Sequence, residues 1–294
     1  MTRYLDPKAD ITFKRVFGDP DNKDRCISML NALLPLEKGR EVVDVEFQSG
    51  EIWPTVIPIR NTIADVRCRD NEGRQFLVEM QMEWTSDFKT RILFNASKAY
   101  VSQFDINKQY TDIKTVYSLN FINSVFDRDP ASAETYYHHY ALYERENPKQ
   151  RIEGLEFILI ELPKFKVGAV GGNPTRDLWL RFLTEMKDDF MTIPAGLAVD
   201  KTVKSAIQCL ELGAYSKEQM LGYDNFWNDV RTLWSLSNEK FNKGKAEGMA
   251  QGKVEGKAEG LLEGETKANL ENARKMLAAG IPKETIAQIT GICL

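Results

Sequence analysis

Three residues stand at a spacing that could do chemistry: Asp65, Glu79 and Gln81. Two β-rich runs, 62–69 and 75–81, flank the turn-forming stretch Asp70-Asn71-Glu72-Gly73. A three-residue loop, Asn71-Glu72-Gly73 with Gly73 left-handed, sets a register in which Asp65 falls opposite Glu79. Gln81 then shares their face by the strand period of two. Directly opposed side chains lie about 5 Å apart at Cβ, so the two carboxylates would repel each other. A divalent cation relieves that repulsion. Mg²⁺ is commonly held by one or two carboxylates, with water and substrate phosphate filling the other positions. Glu79 lies inside Phe76-Leu77-Val78-Glu79-Met80 and Asp65 follows Ile63-Ala64. Such apolar surroundings demand a partner for an acid. The spacing also allows a solvated hairpin face carrying two ordinary acids, and by itself it leaves both readings open.

Other chemistries have few residues to work with. The two histidines, His138 and His139, are adjacent, and adjacent side chains point apart on a helix or strand. A histidine-rich metal site and a Ser–His–Asp triad are therefore disfavoured, and carboxylates must carry any reaction. Cys26, Cys68, Cys209 and Cys293 are scattered, at no metal-site spacing, which suits a reducing, cytoplasmic setting. The N-terminus lacks a signal-peptide apolar core, and no apolar run is long enough to span a membrane. The net charge is −4, so any nucleic-acid surface must be a local basic patch.

The elements that must position the three residues read as follows. Residues 10–34 have helical spacing in two clusters, interrupted at Gly18-Asp19-Pro20 and ended by Pro35. Strands are expected at 41–48, 62–69 and 75–81. An amphipathic helix follows over 88–104, with Ile92, Leu93, Ala96, Ala99, Tyr100 and Phe104 on one side. Residues 113–123 and 155–162 read as apolar strands covered on both faces. After Pro163 the pattern turns helical, over 175–192 and 200–236. The fold class is α/β: a mixed sheet flanked by helices, with a C-terminal helical region. The expected organisation is a core over 1–165, a helical subdomain over 166–238, a connector helix over 239–266 and a short helical tail over 267–294.

The connector carries glycine at 244, 248, 252, 256, 260 and 264. Four helical residues turn about 400°, so these glycines trace a slowly winding bare stripe. Each costs roughly 1 kcal/mol relative to alanine. The segment reads either as a marginal connector or as a helix that docks closely on a second copy, making a homo-oligomer. Gly280 is a candidate residue for ending the next helix. A short helix from Pro282 to Thr290-Gly291 opens like a helix-turn-helix, but the sequence stops at Leu294 before a recognition helix could follow.

The Asp-to-Glu-x-Gln pattern on consecutive strands resembles the PD-(D/E)XK nuclease superfamily, with Gln81 where a lysine usually stands. More narrowly, the chain resembles the recombination-promoting nuclease (Rpn) family of transposase-like proteins. The matching stretches are Asp10-Ile11-Thr12-Phe13-Lys14-Arg15-Val16-Phe17-Gly18, Ala64-Asp65-Val66 and Val78-Glu79-Met80-Gln81. Arg91 with Ala99-Tyr100 and Tyr110, then Glu161-Leu162-Pro163-Lys164-Phe165 and the Glu-Gly tail, also match.

The resemblance implies a restriction-endonuclease-like fold and a Mg²⁺-dependent DNA endonuclease, with Mn²⁺ an alternative ion. Asp65, Glu79 and the Met80 carbonyl would hold the metal, and Gln81 would orient the attacking water. Neutral Gln81 cannot supply a lysine's charge. Lys14 is a candidate for that charge and Asp10 for an extra acid, although helix capping or a surface role explains both equally well. Arg91 and Lys98 could meet phosphates, or form a solvated face. Tyr100 and Tyr110 read more readily as core. Two readings from other classes stand beside the nuclease: a non-catalytic DNA-binding or assembly protein with a decayed nuclease fold, and an oligomeric scaffold acting through the tail.

Overall fold

The computed structural model describes residues 3–52, 62–105, 107–168, 173–188 and 191–293. Helices α1 (Asp10–Phe17) and α2 (Lys23–Leu33) open the chain. Between them Asp19 accepts the Asp21 N–H and starts a 3₁₀ turn at Pro20–Asn22, so the expected break is a capped corner. Then come β1 (Val45–Gln48), β2 (Glu51–Ile52), β3 (Thr62–Ile63), β4 (Val66–Asp70), β5 (Gln75–Gln81) and α3 (Phe88–Val101). They are followed by β6 (Val116–Ile122), β7 (Tyr137–Tyr143), β8 (Arg151–Glu161), α4 (Pro174–Glu185), α5 (Lys201–Cys209), α6 (Lys217–Ala278) and α7 (Lys283–Thr290).

Six strands form one sheet in the order β1-β4-β5-β6-β8-β7; β2 and β3 pair separately. The neighbours β5, β6 and β8 are parallel, and the remaining pairs are antiparallel. Alternation along β5 sorts its side chains to two cores. Phe76 and Val78 join Phe13, Phe17, Leu30, Trp179 and Phe182 from α1, α2 and α4. Leu77 packs on the other face with Phe88, Ile92, Ala96 and Ala99 of α3. Both faces of β6 are covered, which accounts for its nearly unbroken apolar run. Trp179 and Phe182 pack on Phe17, so the helices after Pro163 share the first core.

Several sequence expectations need adjusting. Strand β1 starts at Val45, and the run 62–69 is split at Ala64-Asp65 between β3 and β4. Leu93 and Phe104 are exposed, because the apolar face of α3 is narrowed to Phe88, Ile92, Ala96 and Ala99. The helix expected over 175–192 ends at Glu185, and that over 200–236 is interrupted between Cys209 and Lys217. Strand β7 had no counterpart in the sequence reading. It is an edge strand with little burial, so it lacks a strong apolar alternation, although its tyrosines favour extended structure. Its histidines do point apart: His138 meets Glu161 at 2.9 Å, while His139 meets Glu156.

The chain divides into two compact units, Met1–Asn228 and Asp229–Leu294. In the second, the tail glycines lie within α6, and a Cβ added at any of the six would meet nothing within 4 Å. Helix α6 closes at Gly280 (φ 81°), with Ile281 N–H on the Met276 carbonyl and Gly280 N–H on that of Leu277. This is the left-handed stop expected there. Ala273 of α6 and Ile286 of α7 are buried.

Candidate active site

The hairpin register is the one the turn residues dictate: Gly73 has φ 85°, and Val66 pairs with Val78, Cys68 with Phe76 and Arg69 with Gln75. The ladder, however, ends at Val66, one residue short of Asp65. Gln48 pairs with Arg67 and Glu51 with Ile63, so three steps on one side span four on the other. The extra residue is a β-bulge around Asp65, and bulges re-aim side chains. The expected direct opposition of Asp65 and Glu79 is corrected accordingly. Asp65 Oδ2 instead accepts the Met80 N–H at 2.8 Å, in place of a strand partner. The N–H and C=O of one residue leave a strand on the same side, so the Met80 carbonyl is also directed to the Asp65 edge.

Glu79 is buried, with 8% exposure, and its Oε1 accepts from Asn95 Nδ2 at 3.0 Å. Gln81 uses both ends of its amide: Nε2 donates to the Glu83 carbonyl at 2.7 Å, and Oε1 accepts from Arg91 Nη2 at 2.7 Å. Geometry explains this pairing of strand and helix. Two strand residues advance about 6.6 Å, and four helical residues about 6 Å. Glu79 and Gln81 on β5 thus match Asn95 and Arg91, one turn apart on α3.

The electrostatics describe two acids raised by burial. The Asp65 carboxyl is pushed up to about 7. Burial is the main cause, opposed by the Met80 N–H, reinforced by the nearby acids Asp10 and Glu79, and eased by Lys14. Burial likewise raises Glu79, against the Asn95 bond and the Arg91 charge. Asp10 and Lys14 therefore stand within electrostatic reach of Asp65, paired with each other at 2.7 Å. Their helix is anchored just upstream, where Thr12 donates to the Asp6 carbonyl. Asp6 is itself paired with Lys8, whose Nζ reaches the Leu183 carbonyl.

Among the described residues no three His, Cys, Asp or Glu side chains stand close enough to hold a metal. The available donors are two carboxylates and the Met80 carbonyl. This hard-oxygen set fits Mg²⁺ or Mn²⁺ when water and phosphate complete the shell. Both carboxylates are raised by burial, which is the state a divalent cation would relieve.

Sequence reasoning missed two residues here. Asn95 has one signal in the sequence, since Arg91 and Asn95 form an i,i+4 polar pair beside the apolar stripe of α3. Asn120, wholly buried, is the register partner of Glu79 on β6. The Oδ1 atoms of Asn95 and Asn120 have no hydrogen-bond partner among the described residues. Tyr110 is not brought in: it is 81% exposed and stacks on Phe104. The Glu161-Leu162-Pro163-Lys164-Phe165 stretch forms a buried knot at the end of β8. Glu161 accepts from His138, Lys164 and the Phe126 N–H, and Lys164 also holds the Asp127 and Ser132 carbonyls.

No curated protein and no solved structure matches the chain. A family model described as PD-(D/E)XK nuclease family transposase matches residues 7–229, about three quarters of the sequence, and takes in every strand of the sheet and helices α1 to α5. With the mixed sheet and the acid pair at the edge of β5, that match places this chain in the PD-(D/E)XK nuclease family transposases.

Proposed function

We propose that the protein is a Mg²⁺-dependent DNA endonuclease acting in recombination or mobile-element biology, with Mn²⁺ able to replace Mg²⁺. One observation carries the reading: Asp65, bonded to the Met80 N–H, and Glu79 on β5 stand within electrostatic reach of each other, and burial raises both carboxyls. Asp65, Glu79 and the Met80 carbonyl would hold the cation, which when bound lowers the pKa of water and offsets phosphate charge. In the hydrolysis, water adds to phosphorus, one bridging P–O bond breaks, and the departing oxygen leaves protonated. Asn95 fixes the Glu79 carboxylate and the Met80 N–H fixes that of Asp65, so neither acid has to reorganise. Lys14 and Asp10 tune Asp65 from α1. The four free cysteines suit a cytoplasmic setting, and no helix among the described residues is long and apolar enough to cross a membrane. The glycine stripe of α6 is the candidate contact with a second copy.

Plasmid nicking tests the reading. Wild type should nick supercoiled DNA with Mg²⁺ and not with EDTA, and Asp65→Ala and Glu79→Ala should each abolish nicking. Equal cleavage by those variants would remove the site assignment. A second reading, a non-catalytic DNA-binding or assembly protein, is favoured by neutral Gln81 and the net charge of −4. It requires no Asp65-dependent Mn²⁺ binding by calorimetry and no cleavage with any metal.

A further inference from the structure

The amide of Gln81 is held at both ends, which bears on which side chain can meet the substrate. Its Nε2 is spent on the Glu83 carbonyl and its Oε1 on Arg91, both at 2.7 Å. These two bonds fix the orientation of the amide, leaving it one N–H and one lone pair but no charge to offer a phosphate. Arg91 is in the opposite condition. It is half-buried, its Cζ stands 5.0 Å from the Phe88 ring centroid, and its charge reaches Glu79. Only Nη2 is committed; the other guanidinium N–H groups have no hydrogen-bond partner among the described residues. A guanidinium held at one nitrogen, with a donor fork left over, is suited to clamping a phosphate. Phe88 and Gln81 together restrict its rotation, so little freedom is lost when a phosphate arrives.

We infer that Arg91 is the residue that meets the scissile phosphate of DNA, and that Gln81 is a positioning residue holding Arg91 over the acid pair. The inference rests on the nuclease reading for its chemistry. It gives the site a cation from α3 where β5 carries a neutral side chain, narrows the phosphate contact considered for Arg91 to the scissile phosphate, and replaces the water-orienting role of Gln81 with a positioning one.

Two measurements separate this inference from the reading beneath it. In Mg²⁺ nicking assays, Arg91→Ala should lower kcat by about 10²–10³, the usual loss on removing one charge-stabilising donor. Arg91→Lys should recover only part of that loss, because it keeps the charge without the fork, and Gln81→Ala should lose about tenfold in kcat with KM unchanged. The double variant Gln81→Lys/Arg91→Ala should recover at least tenfold over Arg91→Ala, because the lysine returns a cation to the same place. The second measurement needs no catalysis. Binding of a short DNA duplex in EDTA, followed against salt, should show the log–log slope falling by about 0.9 for Arg91→Ala and staying unchanged for Gln81→Ala. Melting curves confirm that each variant is folded.

If wild type cleaves but Arg91→Ala matches it in rate and salt slope, the inference is overturned and the nuclease reading stands. The inference also falls if Gln81→Ala loses as much rate as Arg91→Ala and lysine gives no rescue. If wild type never cleaves while the slope still falls for Arg91→Ala, the phosphate contact holds and the nuclease reading fails. A wild type that binds no duplex overturns both.

Discussion

Asp65→Asn should remove a pH-dependent instability from the metal-free protein. An unfolded aspartate releases its proton near 3.8, whereas the folded Asp65 holds it to about 7. Between those values the folded chain binds the extra proton. Stability is therefore full at low pH and falls as pH rises towards 7. At about 1.36 kcal/mol per pH unit, the span is worth at most about 4 kcal/mol. The neighbouring charges of Asp10 and Glu79 contribute to this shift, so about half of the span, roughly 2 kcal/mol, should belong to Asp65 alone. Asparagine cannot charge, and its carbonyl can still accept the Met80 N–H. For a chain of this size 1 kcal/mol is about 2–4 °C. In thermal melts monitored by circular dichroism in EDTA, wild type should lose roughly 4–8 °C more than Asp65→Asn between pH 4.5 and 7.5. Adding Mg²⁺ at pH 7.5 should restore wild type and leave the variant unmoved, since only a bound ligand stabilises by mass action. Parallel pH slopes for the two proteins in EDTA would refute the account of Asp65 as an acid raised by burial.

Other perturbations follow from named contacts. Asn95→Leu strips Glu79 of its donor; it should cost about 1–3 kcal/mol by denaturant titration and shift Mg²⁺ binding to higher pH. Glu161→Gln leaves the buried Lys164 ammonium without its carboxylate; a loss of about 3 kcal/mol is expected, with Mg²⁺ affinity by calorimetry unchanged. Deleting residues 240–294 should reduce the mass seen by light scattering to that of a monomer, and an unchanged mass would exclude tail-driven association.

Much of the site was legible because it depends on local chemistry. Gly73 takes a positive φ, and the register that follows from it is the observed one, because a tight turn and its strands are neighbours in the chain. The break at Gly18-Asp19-Pro20, the span of β5 and the stop at Gly280 are local in the same sense. Tertiary structure decided the rest. The bulge at Asp65 arises from reconciling the β1–β4 ladder with the β2–β3 ladder, and pairings across that distance leave no mark on residues 62–66. The contacts of Asn95 with Glu79 and of Arg91 with Gln81 depend on where α3 lies across β5, which the packing of Phe88, Ile92 and Ala96 on Leu77 determines. Sequence therefore determined that an acid pair and a glutamine would share the end of one hairpin. Only the packed structure decided which backbone group holds Asp65, that Gln81 is tied to Glu83 and Arg91, and that a guanidinium from the next helix stands beside them.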